Sequence, residues 1–494
     1  MVFTDEEEYS DSDEDIITYR PPEGNACYIN LLPDDVLVEI FKLVYESWPT
    51  KEHRQRTEIR VCQRWRELII NTPLLWTRIY LPNVFTGPSY DNAHSFERSR
   101  GALLDIIVRQ IGEETDEEGE MIDRVLVEHQ SRIRRLTFLS GSENSVAYVL
   151  AHWKSEDTPH LTAMHLNVSH YRFARRNLDY ENFWAQQLEK LGIGFVRAWP
   201  GLSNLRTLIL DDIDVRRFPA SANLRVLQLG AIELTVKELQ GIFERFPSLE
   251  TLTIQQLSPL TGTRARLVVP DDTVLRAPSL RNLGIGSFRR HSTDCKCGLV
   301  YLAAPNLEYL ELQCDPALLA QRHFAVLLNP DKAQNPRKIR LAMGYRTALV
   351  TDEVAEFLNN LPRKDEIDLE ATWSVGPPGY HDRVNALLES TMGVRSLTID
   401  FAFMREYGGM RPKRPHTNDF IQLLHEGKKC SPTYVRGLTD GADEMSYQEV
   451  DDALDGSGVE LLRSPVPDWL VPKWNSFSVD TYDDHNQDED NESD

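Results

Sequence analysis

The sequence predicts an α/β fold: parallel strands joined by crossover helices, stacked into an irregular solenoid behind a short helical block, with disordered acidic ends. Three observations predict it. Between about residues 101 and 401 one phrase keeps returning: an apolar residue, two others, an apolar residue, one other, and a last apolar residue. The stretches between its copies carry apolar residues at helical spacing. The 494 residues also exceed the roughly 250–300 beyond which one compact core stops growing, and an array whose units pack only on their neighbours needs no such core.

The clearest copies of the phrase are "LRTLIL" (Leu205, Leu208, Leu210), "LRVLQL" (Leu224, Leu227, Leu229), "LETLTI" (Leu249, Leu252, Ile254), "LRNLGI" (Leu280, Leu283, Ile285) and "LEYLEL" (Leu307, Leu310, Leu312). Weaker copies are "IRRLTF", "LTAMHL" and "VRSLTI", and the phrase shrinks to "KIRLAM" and "EIDLEA", centred on Ile339 and Ile367. The middle apolar residues fall at 136, 164, 208, 227, 252, 283, 310, 339, 367 and 397, most of them 25 to 31 residues apart. Alternate residues of a strand point to one face, so the last two apolar positions enter a core and the first anchors the turn into the strand. The array resembles leucine-rich repeats, whose period is about 20–29 residues. It departs from their pattern at one place. The asparagine that typically follows the last strand leucine is replaced by Ile213, Ile232, Leu257 and Phe288 in four of the best copies, so no ladder of that asparagine is expected.

Between the strands, "TVKELQGIFERFPSL" places Thr235 and Glu238 in capping-box spacing. Its Val236, Leu239, Ile242, Phe243 and Phe246 recur with helical period. "TDEVAEFLNNLP" and "DRVNALLESTM" behave likewise, and Pro247, Pro278 and Pro305 end crossovers just before strands. After Phe401 the phrase stops. One capping helix is expected in "RPHTNDFIQLLHEG", the stretch "LTDGADEMSYQEVDDALDG" reads as polar and loosely held, and "VPDWLVPKW" is expected to pin the C-terminus onto the last repeat.

The block near the start is dense in apolar residues. In "INLLPDDVLVEIFKLV", Pro33 suits a first helical turn and Asp34 and Asp35 suit the positive end of the helix dipole. Leu37, Ile40, Phe41 and Val44 follow as one stripe, and Val61, Trp65, Leu68 and Ile69 make another in "VCQRWRELIINTPLLW". Pro73 is read as opening a third short helix. Three such helices expose more apolar surface than they can bury among themselves, so another domain or a partner must cover it. The order Leu-Pro, Ile-Phe, Val-Cys-x-x-Trp, Leu-Trp over residues 29–81 resembles an F-box of the kind common in large fungal families. The sequence departs from that pattern in the charged middle "SWPTKEHRQRTEIR" and in one extra residue between Trp65 and Trp76. The resemblance implies docking on a Skp-family adaptor and, through it, a cullin, while the repeats hold an unknown protein substrate for ubiquitination. Carried over residue by residue, the implied adaptor contacts are Leu32, Pro33, Val36, Leu37, Ile40, Phe41, Val61, Cys62, Trp65, Leu68 and Trp76. A leucine-rich-repeat scaffold or protein-binding module acting outside any ubiquitin ligase is the alternative.

Charge and motifs narrow the remaining classes. Residues 1–16 and 480–494 each carry eight acidic residues and no basic one, which accounts for −16 of the net −23. Such segments cannot bury enough apolar surface to fold, and Ser10 and Ser12 sit among acidic residues as an acidophilic kinase prefers. No basic face is visible to neutralise phosphates, so nucleic acid is not an expected partner. "MRPKRPH" (410–416) reads as an exposed loop or a weak nuclear import signal. No run approaches a membrane span, and cytoplasm or nucleus is the expected compartment. His291, Cys295, Cys297 and Cys314 are of zinc-binding types, but a C-x-C pair is tighter than usual and nothing nearby repeats it. They are read as incidental, with no metal or other cofactor expected. No G-x-S-x-G, G-x-x-x-x-G-K-[ST], H-E-x-x-H or complete G-x-G-x-x-G occurs, so a catalyst is not expected. The chain thus divides into an acidic leader (1–26), the F-box-like block (29–81), a linker (82–100), the solenoid (101–401), a C-terminal cap with loops (402–478) and an acidic tail (479–494).

Overall fold

The structure is a computed structural model. It describes residues 28–47, 57–81, 90–108, 125–139, 158–167, 203–258 except 212 and 214, 260, 268–270, 273–286, 296–314, 336–343, 355, 358–359, 361, 363–373, 385, 388–401, 417–427, 430, 432–436, 447–464, 467 and 470. The acidic ends, the basic 410–416 stretch, and His291 and Cys295 lie outside these residues.

Sixteen strands occur among the described residues. They are β1 (Arg78–Leu81), β2 (Leu104–Val108), β3 (Ile133–Phe138), β4 (Ala163–Asn167), β5 (Thr207–Asp211), β6 (Val226–Glu233), β7 (Thr251–Ser258) and β8 (Leu275–Arg276). The chain continues through β9 (Asn282–Ile285), β10 (Leu302–Ala303), β11 (Tyr309–Cys314), β12 (Lys338–Met343), β13 (Asp368–Trp373), β14 (Ser396–Phe401), β15 (Thr433–Arg436) and β16 (Val459–Leu462). Fourteen of them form one parallel sheet in chain order, and β8 and β10 pair with each other beside it.

The recurring phrase sets the register. Leu136, Met164, Leu208, Leu227, Leu252, Leu283, Leu310, Ile339, Leu369 and Leu397 face one another strand by strand. All ten are buried in one continuous core. The central residue of the "EIDLEA" copy is therefore Leu369 and not Ile367; Ile367 occupies the anchoring position before the strand. The sheet also runs beyond the span expected for it. Strand β1 extends it upstream, pairing Ile79 with Ile106 of β2, and β15 and β16 extend the ladder downstream of Phe401.

Two boundaries change accordingly. Helix α3 (Tyr90–Arg98; α1 and α2 are given below) occupies part of the expected 82–100 linker. Beyond 401, α5 (Thr417–Glu426) lies where one capping helix was expected, and α6 (Tyr447–Leu454) forms in the stretch read as loosely held. Val450 and Leu454, one helical turn apart, are both buried, which is what fixes α6.

Among the described residues the crossovers include one complete α-helix, α4 (Val236–Arg245), which packs against the sheet with the full Thr235–Glu238 capping box. Where the described residues reach the two other expected crossover helices they are helical: Ala355, Leu358 and Asn359 in one, Asn385 and residues 388–390 in the other. Single 3-10 turns also occur in crossovers, at Val215–Arg217, Gly298–Tyr301 and Lys364–Glu366. The asparagine ladder exists, but at a different position. Asn204, Asn223 and Asn306 immediately precede the anchoring leucines, and each side-chain amide donates to a carbonyl of an earlier repeat: Pro159 O at 2.9 Å, Ser203 O at 2.5 Å and Pro278 O at 2.7 Å. Among the described residues these side chains add to the ladder bonds at the turn into the strand.

Ahead of the sheet, α1 (Asp34–Ser47) and α2 (Gln63–Asn71) form the helical block. Pro73 opens one 3-10 turn, Pro73–Trp76, and the chain then enters β1, so the third helix expected there is absent. The block has its own small interior of Leu37, Phe41, Ile69, Leu75 and Trp76. The chain passes from that interior to the sheet's core between Trp76 and Ile79.

Candidate functional site

Two surfaces gather side chains with something to bind. The first is on the helical block. Arg64, in the first turn of α2, donates to Asp34 Oδ1 at the start of α1 through Nε (3.1 Å) and Nη2 (2.5 Å), and Nη2 also donates to Leu32 O (2.7 Å). This staple holds the N-terminal ends of the two helices together, so Leu32, Pro33 and Val36 share one end of the block with Val61 and Cys62. Phe41 and Trp65 meet edge to face with ring centroids 5.0 Å apart. Trp76 Nε1 donates to Ile69 O (2.8 Å), and the Arg98 guanidinium lies 4.5 Å from the Trp76 ring, tying α3 to the block.

The eleven residues implied as contacts separate into three groups. Leu37, Phe41 and Trp76 are buried inside the block. Helix α1 carries apolar residues on two neighbouring faces, and Leu37 and Phe41 lie on the inward one. Leu32, Ile40, Cys62, Trp65 and Leu68 are half-buried, while Pro33, Val36 and Val61 are exposed. Three further exposed apolar residues were missed by sequence reasoning: Leu31, Leu43 and Leu74. Leu43 had a signal, because it stands seven residues after Val36 and so on the same helical face. Large exposed hydrophobic side chains concentrate here: Leu31 (72%), Leu43 (64%), Leu74 (55%), Val61 (50%) and Val36 (40%) are five of the nine found among the described residues.

The second surface is the sheet face opposite the core. In β11 to β14 the odd positions of each phrase point away from the leucines and place Glu311, Arg340 and Glu370 side by side in register. Asp400 and Arg436 pair one step along. All five are buried, and Arg340 is the largest fully buried side chain described. Arg436 reaches Asp400 Oδ1 (2.7 Å) and Glu370 Oε1 (3.3 Å), Arg340 reaches Asp400 Oδ2 (3.3 Å), and Lys338 reaches Glu370 Oε1 (2.7 Å). Tyr309 donates its hydroxyl to Glu311 Oε2 at 2.8 Å. Burial beside that carboxylate pushes the Tyr309 hydroxyl far above its ordinary range, so it remains a donor. Burial also raises the Asp400 carboxyl, against the pull of Arg436.

Among the described residues, no group of three His, Cys, Asp or Glu side chains is placed to hold a metal. Of the cysteine cluster, Cys297 is buried at the head of the Gly298–Tyr301 turn and Cys314 ends β11. No described helix is long and apolar enough to cross a membrane.

By fold, the chain is an α/β protein built on one long, parallel, repeat-derived sheet. Among solved structures it is similar to the leucine-rich repeat-containing protein LegL7 from Legionella pneumophila, at 12% identity and a TM-score of 0.31, over 78% of this chain and 89% of that one. No family model matches the chain, and no curated protein matches it.

Proposed function

We propose that the chain is a non-catalytic substrate receptor of a Skp–cullin–F-box ubiquitin ligase. Its helical block docks on a Skp-family adaptor, which joins it to a cullin, and its sheet holds a protein substrate. One observation carries the reading: among the described residues, five large exposed hydrophobic side chains sit on a block whose interior has five buried ones. Monomeric proteins seldom leave contiguous apolar surface uncovered unless something binds it. The F-box-like order of residues over 29–81 says what kind of partner would do so.

The test is titration of a purified Skp-family adaptor into the purified chain by calorimetry, followed by pulldown with a cullin. A one-to-one adaptor complex that recruits the cullin supports the ligase reading. Adaptor binding without cullin recruitment supports a scaffold acting outside the ligase. No adaptor binding, under conditions where another F-box protein binds, overturns the docking itself.

A further inference from the structure

Upstream of the charged residues, three neighbouring strands each bring one buried polar atom to the sheet face opposite the core. Asp211 Oδ1 on β5, Gln228 Nε2 on β6 and Thr253 Oγ1 on β7 have no hydrogen-bond partner among the described residues. Their strand neighbours Leu210, Leu227, Leu229, Leu252 and Ile254 are in the core, so the three side chains leave the sheet on its other side. Gln228 and Thr253 face each other in register and are only 6% and 1% exposed. The other Asp211 oxygen, Oδ2, lies 3.0 Å from His165 Nε2. Glu370 Oε2 is also without a hydrogen bond, but Arg340 Nε stands 3.6 Å from it and supplies the opposite charge.

Two glycines flank the three atoms. Gly284, within β9, stands opposite Thr253. Gly230, within β6, follows Gln228 on the same face and lies beside Asp211, one step past the Leu210–Leu229 pair. Both are buried. A glycine inside a strand weakens it, and such a position often marks where a ligand or another backbone comes close. A buried polar atom without a partner also costs stability. Both costs fall on the same few residues of β5, β6, β7 and β9.

We propose that Asp211, Gln228 and Thr253 form a docking site for one residue of an extended peptide, recognised through its main chain. A residue in extended conformation turns its N–H and C=O to the same side. A carboxamide meets both, with Nε2 donating to the carbonyl and Oε1 accepting from the N–H. No side-chain hydrogen bond holds Gln228, so on binding its carboxamide turns toward the peptide and uncovers Thr253 beside it. The Thr253 hydroxyl donates or accepts, and Asp211 Oδ1 accepts from a further N–H. Gly230 and Gly284 give the peptide backbone room to approach the sheet. Main-chain bonds supply the affinity, as in other extended-peptide sites, so the docked residue can carry most side chains but cannot be proline. The proposal rests on the reading that the sheet holds a protein substrate, and deepens it by naming the residues and the part of the substrate they grip. Its test uses no adaptor, so the two can fail separately.

The experiment uses the full chain and the double variant Gln228→Met/Thr253→Val, which keeps the shapes and removes the polar atoms. The probe is a phage-displayed library of random decapeptides, selected on wild type. We expect the enriched peptides to bind the double variant at least tenfold more weakly. N-methylation of one peptide residue should weaken binding to wild type at least tenfold, while alanine at that residue changes it less than threefold. Without peptide, the double variant should have the higher urea midpoint, because it no longer buries polar atoms that lack partners. A lower midpoint means that ordered water or the chain already satisfies those atoms, and overturns the proposal. So does a library with no enriched peptide, or enriched peptides that bind both chains equally.

Discussion

Val36→Glu tests whether the exposed face of the helical block is a docking surface. Val36 is 40% exposed in the free chain. Fully burying a side chain of this kind yields about 1.5–3 kcal/mol, so covering the exposed part on docking recovers about 0.6–1.2 kcal/mol. A glutamate forfeits that gain and places a carboxylate in the contact, at a further cost of about 1–3 kcal/mol. The total of about 2–4 kcal/mol corresponds to roughly 30- to 700-fold weaker adaptor binding. The fold should not suffer. Val36 lies in the first turn of α1 after Asp34 and Asp35, where the helix dipole favours a negative charge.

The assay is calorimetric titration of the adaptor, with circular dichroism of each variant beforehand. Leu37→Ala is the contrasting control. Leu37 is fully buried, and its truncation should cost about 2–5 kcal/mol of folding stability, losing helix and binding together. Val36→Glu should lose binding alone. If it binds within threefold of wild type with its helices intact, Val36 is outside the interface and the argument from exposed apolar surface fails.

Four other perturbations probe the scaffold. Trp76→Ala should cost about 3–5 kcal/mol, because it removes a buried ring, its bond to Ile69 O and its contact with Arg98; hydrogen exchange should show α1 and α2 loosened and β6 and β7 unaffected. Gly298→Ala should destabilise by about 1–3 kcal/mol, since an added Cβ would lie 2.9 Å from both Leu239 Cβ and Thr235 O. Thr235→Ala should cost about 0.5–2 kcal/mol through the lost cap; urea midpoints measure both, and a neutral Gly298→Ala would show that α4 does not press on that turn. Asp368→Asn is a test of sign. The Arg395 hydrogen bond, helped by Ser396, holds the Asp368 carboxyl below its ordinary range. Its contribution is therefore present above the unfolded value of about 3.9 and lost as pH falls through the lower folded value. The stability gap between wild type and Asp368→Asn should persist from pH 7 to pH 5 and close only in stronger acid. A gap already closed at pH 5 would refute the pairing.

The sheet was legible because its determinant is periodic. A strand that puts leucine into the core at alternate positions leaves a pattern that survives without any tertiary information, and most of the strand centres fell where the phrase put them. It misled where the phrase was short. In "EIDLEA" either Ile367 or Leu369 could be the centre, and only the pairing with Ile339 decides. It was missed at β1, where Trp76, Ile79 and Leu81 keep the spacing inside the block read as helical, and silent at β16, where Gly456 stands in place of an apolar anchor. On α1, periodicity found an apolar helix but could not say which of two adjacent faces was inside, because Val36, Leu37, Ile40, Phe41 and Leu43 span both. The charged face had no signal at all. Glu311, Arg340 and Glu370 stand at positions where an exposed strand residue is ordinarily polar, and nothing local foretells that Leu470 and Pro467, more than a hundred residues on, bond to Glu311 and Arg340.

The separation of the two interiors has a consequence for the block. Five buried side chains among the block's described residues are few for a helical unit to stand on alone, and among the described residues the sheet reaches it mainly through Trp76, Arg98 and the strand that follows. The block should therefore open at lower free energy than the sheet, as local units with small interiors do. A partner that binds only the closed block stabilises it by RT ln(1 + [L]/Kd), about 2.7 kcal/mol at one hundred times Kd, or close to a hundredfold slower exchange wherever opening limits the rate. Saturating adaptor should accordingly slow amide exchange across Asp34–Ser47 and Gln63–Asn71 by roughly that factor. Exchange in β6 and β7, whose opening does not depend on the block, should stay the same. Equal slowing in block and sheet would mean that the two open as one unit. In that case the handover between Trp76 and Ile79 would not be a boundary in stability, although it is one in packing.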